Sequence, residues 1–60
     1  MKCLMATSYA GAYDLCHGVP DLNKAEFLGV RYEEDKVTTV LCFKLESGED
    51  FEIFVRYGDA

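Results

Sequence analysis

Hydrophobic and polar residues alternate most clearly between Val37 and Tyr57. Val37, Leu41, Phe43 and Leu45 fall on alternate positions, interrupted only by Thr39, and Phe51, Ile53, Val55 and Tyr57 do the same. Between the two runs lies Glu-Ser-Gly-Glu-Asp, a polar stretch containing Gly48. Alternation of period two around a glycine-bearing turn predicts a β-hairpin whose strands pool their apolar residues on one face. Val40, Cys42 and Phe54 then point the other way, beside Thr38, Lys44, Glu52 and Arg56. A face turned to water is ordinarily polar throughout, so this one calls for a partner or a second copy.

Upstream the pattern is weaker. Tyr9, Ala12, Tyr13 and Cys16 fall at i, i+3, i+4 and i+7, the spacing of one helical stripe. Ser8 suits the N-cap, Gly18 the residue after the helix, and Pro20 follows where a helix has already stopped. Gly11 costs such a helix about 1 kcal/mol relative to Ala, and an irregular or strand-like segment is its rival. Val19 to Lys24 reads as a connector. Glu26 to Glu33 reads as a strand that turns at Glu34-Asp35 into Val37, with Gly29 marking a bulge. Residues 2 to 6 fit an edge strand or an extended arm. The expected fold is α+β: a three-stranded antiparallel meander with an N-terminal helix or irregular segment packed on one face, in a single domain over residues 1–60.

Eleven acidic residues against six basic ones give a net charge of −5. Nucleic-acid binding depends on Lys and Arg neutralising phosphates, and anionic membranes attract the same residues. The balance therefore points away from both, and towards a larger protein with a basic surface or groove. The acids gather in two places. Glu33, Glu34 and Asp35 mark the first turn, and Glu46, Glu49, Asp50 and Glu52 the second. Turns are solvated and acids suit them, so each cluster has a bland explanation beside the functional one.

Residues with catalytic chemistry are sparse. Cys16 and His17 are adjacent, but neighbours on a helix point about 100° apart and do not pair as nucleophile and base. Cys3, Cys16, Cys42 and His17 lack the close ligand pair typical of structural zinc sites. No glycine-rich phosphate loop is present, so no cofactor or metal is expected. Sixty residues rarely wall a ligand pocket of 300 Å³ or more. Three cysteines without CxxC spacing fit a reducing compartment, and no apolar run reaches the length of a signal-peptide core or a membrane span. The expectation is a cytoplasmic protein.

In general character the chain resembles the small inhibitors encoded by bacteriophages and mobile elements, such as anti-CRISPR and anti-restriction proteins. The likeness is one of type, carried by small size, acidity and a two-faced sheet. It implies a non-catalytic inhibitor or modulator of a nucleic-acid-processing or defence enzyme, working in the host cytoplasm. Contact would run through the two acidic turns and through exposed aromatics: Phe54 from the second face, and Tyr32 and Tyr57 near the strand ends. A structural or regulatory homodimer joined through Val40, Cys42 and Phe54 is the alternative.

Overall fold

In the computed structural model, which describes residues 2–56, the chain runs β1 (Lys2–Ala6), α1 (Tyr9–Gly18), a 3-10 turn (Pro20–Leu22), β2 (Glu26–Tyr32), β3 (Thr38–Lys44) and β4 (Asp50–Arg56). The expected meander is there as β2-β3-β4, all antiparallel. It is part of a larger sheet, however, because β1 adds a fourth strand parallel to β4, giving the order β1-β4-β3-β2. The sheet is therefore mixed. Leu4 and Ala6 put β1 at that edge: they lie beside Ile53 and Val55 and extend the apolar face on which the helix sits.

The β3–β4 hairpin turns as its sequence predicts. The Gly48 amide donates to the Leu45 carbonyl at 2.8 Å, and the Leu45 amide donates to Glu49 at the same distance. Gly48 takes φ +91, a conformation that side-chain-bearing residues rarely adopt. The β2–β3 turn is tied differently. Asp35 accepts the Val37 and Thr38 amides through one carboxylate oxygen and the Thr38 hydroxyl through the other, all within 2.7–2.9 Å. Lys36 is left with φ 62, the only non-glycine in the left-handed region among the described residues. Val37 belongs to this turn and is half exposed rather than facing the core with Leu41.

The helix forms with the expected start. Ser8 is its N-cap, with Oγ accepting the Gly11 amide at 3.0 Å. Its end and its inward face differ from the sequence reading. Gly18 is the last helical residue and Val19 the cap. The buried side is Ala12 with Leu15 and Cys16, while Tyr9 and Tyr13 of the expected stripe are exposed. Tyrosine counts as apolar in a periodicity but carries a hydroxyl that seeks a partner. Tyr9 sits at the sheet margin, where its hydroxyl donates to Thr39 at 3.2 Å.

The core lies between helix and sheet. Phe51, Ile53 and Val55 fill it from β4, with Ala6, Ala12, Leu22 and Leu45 around them. Leu41 and Phe43 complete it from β3. The other side of the sheet has no second layer among the described residues.

Candidate partner-binding surface

The uncovered face is built in rows, because residues paired across strands point the same way. Met5, Phe54, Val40 and Arg31 form one row, from β1 through β4 and β3 to β2. Cys3, Glu52, Cys42 and Gly29 form the next. Asp50, Lys44 and Glu26 lie beyond it. An apolar stripe thus crosses three strands between charged flanks. Val40 is sealed within it at 0% exposure, flanked in register by Phe54 and Arg31, whereas Met5 stands 70% exposed at the stripe's end. Phe54 is half buried between them.

Met5 was not among the contact residues expected from sequence. Its signal was the alternation with Leu4 and Ala6, which fixes its side once residues 2 to 6 are taken as a strand. Its place beside Phe54 follows only from the parallel pairing with β4.

The acids expected to reach outward divide into two groups. Arg31 holds two of them. Its Nε donates to Glu33 at 3.2 Å, and its Nη1 donates to Glu52 at 3.0 Å across the uncovered face. The Glu52 side chain is only 13% exposed, so its charge is answered within the chain. Asp35 is spent on the turn, and its three hydrogen bonds hold its carboxyl below the usual carboxylate range. Asp50 is bound by the Lys44 ammonium at 2.7 Å, which lowers its carboxyl in the same way. Glu34 and Glu46 are fully on the surface, at opposite ends of β3, and Glu49 beside the latter is half buried.

The aromatics divide too. Tyr32 is 74% exposed, the most open large apolar side chain described. It lies opposite Thr39, on the helix side of the sheet, so it does not join Phe54. Phe27 and Val30 share that side of β2 and are also about half exposed. Tyr57 lies outside the described residues.

The thiols do not come together. Cys3 and Cys42 belong to the uncovered face, while Cys16 packs on the core across the sheet from them. Burial pushes the Cys16 thiol up, away from the reactive thiolate. His17 turns back along the helix: its ring stacks on Tyr13 at 4.1 Å and its Nδ1 lies 2.9 Å from the Tyr13 carbonyl. Among the described residues, no three His, Cys, Asp or Glu side chains are placed to hold a metal ion together. No described helix is long and apolar enough to cross a membrane.

A concavity of about 560 Å³ is an open polar cleft between the 3-10 turn and the β3–β4 turn. Lys2, Asp21, Lys24, Glu46 and Glu49 line it, with Lys2 and Asp21 closing an exposed ion pair at 2.9 Å. Its charges are of both signs. No protein-family model, curated protein or solved structure matches this chain in the comparisons made.

Proposed function

We propose that this chain is a non-catalytic binding protein that blocks or modulates a larger protein carrying a basic surface or groove. The observation that carries the reading is the uncovered pair of Met5, 70% exposed, and half-buried Phe54, set in one row with the sealed Val40. Apolar side chains ringed by charge are what protein interfaces use as anchors, and a sheet face without a second layer leaves them open to a partner. The acidic ends add to it. Glu34 and Glu46 stand exposed at the two turns, and a net charge of −5 steers the whole molecule towards basic partners.

The partner class follows from chemistry and character together. Basic grooves are the working surfaces of nucleic-acid-processing enzymes, and small acidic inhibitors of the phage and mobile-element type act on such enzymes. Seven clustered acids, four of them held by Arg31, Lys44 or the turn, are too few to imitate a duplex carrying one charge per about 1.7 Å. Contact is therefore local: an apolar centre with one or two acidic points. The protein works in the cytoplasm and uses no cofactor.

Capture from a bacterial lysate tests this reading. Wild-type protein retains one large nucleic-acid-processing enzyme, released as salt rises. The Glu34→Lys/Glu46→Lys variant folds normally and weakens that capture. Retention unaffected by salt and by both reversals would refute the electrostatic part of the reading.

A further inference from the structure

We propose that two copies of this chain join through their β2 edges, antiparallel about a two-fold axis between Leu28 and Gly29, forming one continuous sheet. β2 is the end strand of the sheet. It is seven residues long, and Phe27, Leu28, Val30 and Tyr32 stand 47–74% exposed along it. An apolar edge of this length is a template for another strand.

The bulge decides which strand. In a regular strand, residues an odd number apart point to opposite faces. Two identical regular strands therefore pair antiparallel only in registers that set residues of like parity against each other. Here the pairing slips between Phe27 and Gly29, with Leu28 as the extra residue. As a result Phe27 and Val30 share the helix side, opposite Phe43 and Leu41, and Glu26 and Arg31 share the uncovered side, opposite Lys44 and Val40. The side-chain pattern of β2 is thus symmetric about the midpoint of Leu28 and Gly29. A regular peptide strand does not follow the kink of a bulged edge, whereas a second copy carries the same kink at the same point.

The charges select the same register. A two-fold axis at that midpoint sets Phe27 against Val30 of the second copy and Glu26 against its Arg31. This pair occurs twice, once on each side of the axis, with no like charges opposed along the two strands. A one-residue slip sets side chains of opposite faces against each other. A two-residue slip in either direction parts Glu26 from Arg31, and in one direction it opposes Glu26 to Glu33. Contacts on each copy's own uncovered face are left free by this seam, so the inference stands apart from the function proposed above.

Sedimentation equilibrium from micromolar to millimolar concentration tests it. The mass of the wild-type protein rises from 6.8 kDa towards twice that value. Glu26→Lys raises the dimer dissociation constant several-fold, because two cross-strand pairs turn repulsive. Its helix and sheet signals in circular dichroism stay unchanged. Mixing it with Arg31→Glu restores a dimer, since both halves of the seam are again complementary. A wild-type mass fixed at 6.8 kDa, or a Glu26→Lys variant that dimerises like wild type, overturns the proposal. So does a dimer abolished by Phe54→Glu but not by Glu26→Lys.

Discussion

On the helix side of the sheet, Phe51, Ile53 and Val55 are sealed to 3% exposure or less; on the other side the alternate residues of the same strand, Glu52 and Phe54, are only partly covered. One strand thus serves two surfaces, and they have different work. The covered face joins the helix to the sheet and supplies the burial that a sixty-residue chain needs. The uncovered face has an apolar row of similar chemistry but no second layer. There Val40 is sealed by its neighbours within the sheet, and Arg31 bridges to Glu52 where a covering element would otherwise lie. Stability resides mainly on the first face, and the proposed function assigns binding to the second.

Substitutions along β4 and beyond break or sharpen this contrast. Ile53→Ala opens a cavity in the sealed core and costs about 2–5 kcal/mol in urea unfolding. Phe54→Ala removes a larger side chain yet costs about 2 kcal/mol or less, since the ring is already partly solvated. Equal losses at the two positions would show that both faces bear the fold alike. Ser8→Ala removes the cap that anchors the covering helix and costs about 1 kcal/mol, read as a lower thermal midpoint with loss of helical signal.

The smallest effect is one of pH. The carboxyl of Asp35 is held below its ordinary value in the folded chain, so its ionised form favours folding. That contribution is fully present above the ordinary carboxylate range and is lost as pH falls through the depressed folded value. Asp35→Asn therefore lowers the thermal midpoint near neutral pH, and the gap to wild type closes in acid. A gap that persists unchanged at low pH would mean that the turn relies on the shape of the side chain and not on its charge.

Much of this architecture is legible in the chain. The β3–β4 hairpin announces itself through period-two alternation around Gly48, and the bulge through a glycine inside a strand pattern. Both are local features. The fourth strand was harder to place, because Lys2 to Ala6 pairs with Phe51 to Val55 at the far end of the chain and no local signal states that register. The helix is legible as one of two readings of its segment, and its inward side is not the stripe that the spacing suggests. A ten-residue helix offers two overlapping stripes, and Tyr9 and Tyr13 tipped the reading to the wrong one.

The candidate surface was legible in part. Parity alone separated Val40, Cys42 and Phe54 from Leu41 and Ile53. What a sequence does not record is which charges are already answered. Glu33 and Glu52 count as two acids in a composition and as the two arms of one Arg31 bridge in the fold. Asp35 reads as part of an acidic cluster and turns out to tie a turn.

The most direct measurement is partner capture by two variants judged against their own stabilities. Met5→Glu/Phe54→Glu places charge on the uncovered face alone. It is expected to keep a cooperative thermal transition and to lose the captured partner. Ile53→Val, a mild change in the core, is expected to lower the transition and to keep the partner at temperatures where it remains folded. A folded Met5→Glu/Phe54→Glu protein that still holds the partner as wild type does would contradict the division of labour between the two faces.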